Sequence, residues 1–141
     1  MKIFSLLLLT IVIGTGCSSQ QKTDMTSTTI AYSAMSRGYF KQITVQNQTV
    51  WVEKERGKDA VESKIDAAKW KHIVAEFEKI NLESIPTLKA PTEKRFYDGA
   101  AIGNLKIVHN QKTYETQGFD NGFPPKEIEK LVNLLVDFTK E

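Results

Sequence analysis

Between Ile30 and Val52 apolar side chains recur at alternate positions in three stretches (Ile30, Tyr32 and Ala34; Ile43 and Val45; Val50 and Val52), with Arg37-Gly38 and Asn47-Gln48 as turn residues between them. Period-two alternation of β-branched and aromatic residues marks half-buried strands, and a two-residue break between them marks a hairpin. Three strands are predicted: one around Ile30, Tyr32 and Ala34, a second over 39–46 and a third over 49–55. Strands joined this tightly pair antiparallel, because a parallel crossover needs a dozen or more residues. One face of such a sheet is apolar and has to be covered by another part of the chain.

The cover is legible further along. Residues 56–63 are mixed in sign, contain Gly57 and read as a solvated connection. Asp66 suits the N-cap of a helix over 66–80, in which Ala67, Trp70, Ile73, Val74, Phe77 and Ile80 form one apolar stripe. Leu82 and Ile85 extend the core contact, and Pro86 and Pro91 enforce a non-helical stretch. A loop over 92–99 leads into a fourth strand, 100–109, with Leu105 and Ile107 inward. Ala101 and Gly103 continue that face, so a bulky neighbour such as Trp70 or Phe77 is expected over them. Asn110-Gln111 turns into a fifth strand, 112–119, and Asp120-Asn121-Gly122 is a turn signal. Pro124-Pro125 opens a second helix, whose buried stripe is Ile128, Leu131, Leu135 and Phe138. The order βββ-α-ββ-α predicts an α+β, two-layer domain: a five-stranded, mainly antiparallel sheet with both helices on one face.

Cys17 is the single cysteine of the 141 residues, so no internal disulfide forms and stability has to come from an apolar core. A net charge of +2 argues against nucleic acid as a partner. No metal-ligand spacing, nucleotide loop or catalytic motif stands out, and no cofactor is expected.

Cys17 also closes an N-terminal pattern. Met1-Lys2 precede a mostly apolar run from Ile3 to Ile13, and Gly14-Thr15-Gly16-Cys17-Ser18-Ser19 follows. A charged start, a short apolar stretch and small residues before a cut site make a secretory signal. The run is shorter than the roughly 20 apolar residues that span a bilayer. With a cysteine at the cut, the segment resembles a bacterial lipoprotein signal with its lipobox, although Gly14 replaces the Leu or Val commonest there. The resemblance implies a signal peptide over 1–16 and acylation of Cys17 by diacylglyceryl and a fatty acyl group such as palmitate. The membrane is then a partner through the N-terminal lipid, and several acyl chains hold where one is marginal. Residues 17–28 are polar and aperiodic, a flexible tether spanning about 18 Å, and 29–141 form the domain. Some Bacteroidota lipoproteins carry acidic residues just after the cysteine as a surface-export signal, and residues 18–22 hold none. The resemblance therefore implies the cell envelope as the location, lipid-anchored at the outer membrane and facing the periplasm. The segments Tyr32-Ser33-Ala34-Met35-Ser36-Arg37-Gly38, Leu88-Lys89-Ala90-Pro91-Thr92, Tyr97-Asp98-Gly99-Ala100 and Phe119-Asp120-Asn121-Gly122-Phe123-Pro124-Pro125 resemble small uncharacterised lipoproteins of Bacteroidota, and this resemblance implies no activity.

Candidate site residues follow from strand geometry. The fourth strand starts from the 92–99 loop, and the fifth, antiparallel to it, ends in the loop at 119–124, so both loops lie at one end of the sheet. Arg95, Tyr97, Asp98, Asp120 and Asn121 thereby share a neighbourhood, with Phe96, Phe119 and Phe123 as apolar walls. Arg95 suits a carboxylate or phosphate, and the two Asp residues suit hydrogen-bond donors. A purely architectural reading stands beside this one: Asp-Gly and Asp-Asn-Gly are turn chemistry, and Arg95 can pair with an Asp. His72 and His109 are the only histidines, and His109 falls at the opposite end of the sheet, away from Asp98 and Asp120. The expected function is non-catalytic binding of an envelope protein or small ligand by an anchored lipoprotein. The alternative is a periplasmic inhibitor that blocks a hydrolase cleft with a protruding loop over 94–97.

Overall fold

The computed structural model describes residues 23–140, so Cys17 and the signal segment lie outside the described residues. The chain forms β1 (Thr28–Ser36), β2 (Tyr39–Gln46), β3 (Thr49–Glu53), β4 (Val61–Lys64), α1 (Ala67–Glu78), β5 (Ile102–His109), β6 (Lys112–Glu115), β7 (Phe119–Asp120) and α2 (Glu129–Asp137). Short 3₁₀ helices stand at Leu82–Thr87, two turns long, and at Lys94–Tyr97, a single turn. The architecture is α+β, with a mostly antiparallel open sheet in the order β4-β3-β2-β1-β5-β6 and β7 paired to β5 beyond β6.

Both hairpin breaks near the N-terminal edge of β1 use the same chemistry. Asn47 and Gln48 have φ of 48° and 60°, and Asn110 and Gln111 have φ of 48° and 65°. Two consecutive left-handed residues make the turn whose twist matches the strands it joins. Gln48 is held there by its side chain, which donates to the Ile65 carbonyl at 2.9 Å. Its own carbonyl accepts the Ile65 amide, also at 2.9 Å.

Alternate residues of the sheet build the core. Ile30, Tyr32 and Ala34 of β1, Ile43 and Val45 of β2, Val50 and Val52 of β3, and Leu105 and Ile107 of β5 are buried in one cluster. Ile73 and Phe77 of α1 and Leu131, Val132 and Leu135 of α2 belong to the same cluster. On the intervening positions Thr29, Ala31, Ser33, Gln42 and Thr44 stay partly exposed. Asp66 caps α1 as expected, its carboxylate accepting the Lys69 amide at 2.9 Å. The α1 stripe is narrower than its spacing suggests: Ala67 is exposed, and Trp70, Val74 and Ile80 are half-buried against the rim of the core.

The sheet has seven strands where five are predicted, for two separate reasons. The 56–63 stretch read as a connection contains β4, an edge strand whose four residues are all exposed and so carry no apolar alternation. The single strand predicted over 112–119 is split by a bulge. Lys106 faces Glu115, yet Gly103 faces Phe119, so Thr116 to Gly118 oppose only Asn104 and Leu105. There the Thr116 hydroxyl accepts the Leu105 amide at 2.9 Å, and the Asn104 side chain donates to the Thr116 carbonyl at 2.9 Å. The extra residue shifts the alternation by one, which lets Tyr114 and Phe119, five apart in sequence, both enter the core.

Three local expectations are corrected as well. Tyr32 and Phe119, stacked at 6.2 Å, pack over Gly103 in place of Trp70 or Phe77. The Pro86 segment forms 3₁₀ helix, closed by the Ser84 amide on the Asn81 carbonyl and the Leu88 amide on the Ile85 carbonyl, neither of which needs the donor Pro86 lacks. Pro124 and Pro125 are buried in the approach to α2, which begins only at Glu129. The span expected as tether is also partly structured: Met25 is in the core cluster, and the Thr28 amide donates to the Met25 carbonyl at 3.2 Å.

Candidate functional site

The two loops meet at one end of the sheet, and their contact centres on Asp120. This residue closes β7, pairs in register with Ile102 and is 0 % exposed. Its carboxylate accepts from the Thr92 hydroxyl at 2.6 Å, the Lys94 amide at 2.7 Å, the Arg95 amide at 2.9 Å and Arg95 Nη1 at 3.2 Å. Arg95 Nη1 also donates to the Thr92 carbonyl at 2.7 Å. Glu93, at the N-cap of the Lys94–Tyr97 turn, makes no side-chain cap. Asp120, distant in sequence, satisfies the turn's free amides instead. Burial alone would push the Asp120 carboxyl up, but the hydrogen bonds from Thr92, Arg95 and Lys94 outweigh it and hold the pKa at about 2.

Asn121 is also spent inside the fold. Its amide donates to the Ala101 carbonyl at 2.9 Å, and its side-chain oxygen accepts the Tyr32 hydroxyl at 2.7 Å. Burial raises the pKa of that phenol, so it stays protonated and remains a donor. Asp98 is exposed and left-handed, with φ of 58°, and ends the turn where the Gly99 amide returns to the Lys94 carbonyl at 2.8 Å. A side chain on Gly99 would meet the Tyr97 ring at 3.0 Å and the Lys94 carbonyl at 3.1 Å.

The five residues expected together are thus neighbours in two layers. Arg95, Asp120 and Asn121 face inward and hold the loops. Tyr97 and Asp98 lie on the outside. The hydrogen bonds of the inner three are of the kind the architectural reading describes: the buried Asp120 carboxylate accepts four, one of them from the Arg95 side chain, and Asn121 accepts from Tyr32. The outer layer is more apolar than expected. Phe96 is 72 % exposed, Tyr97 71 % and Phe123 46 %. Arg95 lies 4.3 Å from the Phe96 ring centre, and Lys94 Nζ lies 4.9 Å from that of Phe123. Ile102 and Met35, register partners on β5 and β1, are exposed at the same end. Phe96 and Phe123, read from sequence as walls of a site, are therefore its outer surface. A single helical turn cannot bury both Arg95 and the residue after it, and that spacing is the signal that finds Phe96. Thr92 was missed as a partner of Asp120, because nothing local in sequence links them.

A shallow depression of about 440 Å³ lies beside this end, lined by Ser36, Arg37, Asp98, Gly99, Ala100 and Ala101. Neither Arg95 nor Asp120 reaches it. At the other end of the sheet His109 Nδ1 is 2.6 Å from the Thr28 hydroxyl, and the ring packs edge-on against Phe77 at 5.4 Å. Thr28 is 1 % exposed, whereas the His109 ring is half-buried, with Nε2 3.1 Å from the Asn110 side-chain nitrogen. His72 is exposed on α1. Among the described residues no group of His, Cys, Asp and Glu is placed to hold a metal ion, and no helix is long and apolar enough to cross a membrane. No family model, curated protein or solved structure matches this chain.

Proposed function

We propose that this chain is a lipid-anchored envelope protein that binds a partner protein, without catalysis, through the Phe96–Tyr97–Phe123 end of its sheet. One observation carries the reading: three aromatic rings stand exposed on loops that a buried Arg95–Asp120 clamp holds rigid. Exposed aromatics on a preorganised scaffold lose little entropy on docking and supply the anchors of protein interfaces. The anchor is compatible with this arrangement. β1 runs for 9 residues, about 30 Å, from the N-terminal segment to the hairpin beside the aromatic end. The described chain therefore enters β1 at the end of the sheet opposite the aromatics.

A protein partner is favoured over a small ligand because the polar groups expected to grip a ligand, Arg95 and Asp120, are consumed by each other. The exposed Lys94–Tyr97 turn also supports the narrower reading, an inhibitor whose turn enters a hydrolase cleft. Both are tested by Phe96→Ser together with Tyr97→Ser. The acylated variant should keep its melting temperature within about 2 °C, as a surface change does, and lose photocrosslinks formed in the native envelope from a probe at position 123. Unchanged crosslinks would place the interface elsewhere. Loss of hydrolase inhibition by the same variant would select the inhibitor reading.

A further inference from the structure

The two edges of the sheet are treated differently. At the β6 edge the Leu82–Thr87 turn lies alongside: Glu83 accepts Lys112 Nζ at 2.7 Å and the Tyr114 hydroxyl at 3.3 Å, and Gln117 donates to the Pro86 carbonyl at 3.3 Å. At the other edge none of the described residues covers β4, and Val61, Glu62, Ser63 and Lys64 are all exposed. Its outward backbone groups can be assigned. The Ile65 amide is bonded to the Gln48 carbonyl, and the Ile65 carbonyl accepts the Gln48 side chain, so both groups of Ile65 point inward. Direction alternates along a strand. Ser63 and Val61 therefore also point inward to β3, and the amides and carbonyls of Glu62 and Lys64 point outward, unpaired among the described residues.

We propose that β4 is a homodimer edge, pairing antiparallel with β4 of a second copy about a two-fold axis at Ser63. Two-fold pairing sets the outward residues of the two copies opposite one another, which leaves three registers. Centring on Glu62 opposes two carboxylates, and centring on Lys64 opposes two ammonium groups. Only centring on Ser63 sets Glu62 of each copy against Lys64 of the other, with four backbone hydrogen bonds between them. Charged residues normally blunt a sheet edge against association. Here they alternate in sign two residues apart, so an antiparallel copy is attracted where a like-charged edge would be repelled. Glu62 and Lys64 are already oriented on one face, Glu62 by Trp51 Nε1 at 3.0 Å and Lys64 by the Thr49 hydroxyl at 3.1 Å, and each keeps further capacity.

The other face of β4 agrees. Val61 is 70 % exposed, and a groove of about 360 Å³ runs past Val52, Val61, Ser63 and Phe138, walled on its other side by the charged residues Lys54, Glu55, Lys58 and Asp59. The register sets Val61 opposite Ile65 of the second copy, and Ser63 on the axis brings the two grooves together. The two aromatic ends then lie at opposite ends of one continuous sheet, and the proposal does not depend on what they bind.

Sedimentation equilibrium of the full chain in density-matched detergent reads the outcome. The wild type should sediment at twice the chain mass. Glu62→Lys alone and Lys64→Glu alone should each weaken association about tenfold or more, since two attractive cross-strand pairs become repulsive. The double swap Glu62→Lys with Lys64→Glu should restore it. In a Cys17→Ser background, Ser63→Cys should oxidise to a covalent dimer much faster than Gln111→Cys, because a central non-bonded pair falls within disulfide reach. A monomeric wild type overturns the proposal, whether its edge stays empty or takes up a strand from another protein. A dimer indifferent to both reversals also overturns it and moves self-association to another surface.

Discussion

Four hydrogen bonds converge on one carboxylate at Asp120, so the strongest single-residue effects belong there. Asp120→Ala takes the acceptor from two amides and the Thr92 hydroxyl, and leaves the Arg95 guanidinium, whose side chain is only 12 % exposed, with the Thr92 carbonyl but without its counter-charge. The expected cost is about 3–5 kcal/mol, the penalty for breaking a buried pair, read by urea denaturation. The folded pKa of about 2 lies below the ordinary 3.8. The ionised form therefore contributes fully above about pH 4, and that contribution is lost as pH falls through about 2. Asp120→Asn should flatten this acid limb and lower stability at neutral pH. Gly103 is the second sensitive position. A Cβ there would sit 2.8 Å from the Phe119 ring and 3.1 Å from the Tyr32 hydroxyl, both fully buried. Gly103→Ala should cost about 1–3 kcal/mol by overpacking. Asp120, Gly103 and Asn121 read from sequence as turn or strand residues; their weight comes from partners far away in the chain.

Elements differ in how strongly their own residues specify them. The Asn-Gln turns at 47–48 and 110–111 are a matched pair with one difference. Gln48 recovers part of its left-handed strain through its bond to Ile65, while Gln111 is exposed and has no such bond among the described contacts. Gln111→Gly should therefore stabilise the protein by about 0.5–1 kcal/mol, and Gln48→Gly by less or not at all. Comparing the two melting temperatures checks the account. Helix α1 is similarly local at its start, where Asp66 caps it, and similarly non-local along its flank. Helical spacing places Trp70 on the apolar side, but the width of the buried strip is set by what the sheet offers beneath it. Trp70 stays half-buried as a result.

At the scale of the whole molecule the chain is one α+β body with an open face, an open edge and an exposed aromatic end, joined at its N-terminus to a segment that resembles a lipoprotein signal. Cys17→Ser should move the protein from the membrane fraction to the soluble fraction without changing its circular dichroism; equal membrane retention would remove the anchor. What the sequence by itself determined is the part that rests on local periodicity. Alternation at period two set β1, β2, β3 and β5, paired left-handed Asn-Gln turns set the hairpins, and the stripe of Ile128, Leu131, Leu135 and Phe138 set the buried side of α2. Strand direction then brought the 92–99 and 119–124 loops to one end. Only the tertiary structure decided the rest. β4 has no apolar alternation because it lies at an edge, and it is a strand only because β3 supplies its hydrogen bonds. The Thr116 bulge exists because a side-chain hydroxyl replaces a backbone acceptor across the ladder. Arg95, Asp120 and Asn121 became structure, and Phe96, Tyr97 and Phe123 became surface, because a buried charge has to be paired whereas an aromatic ring can be left in water at smaller cost.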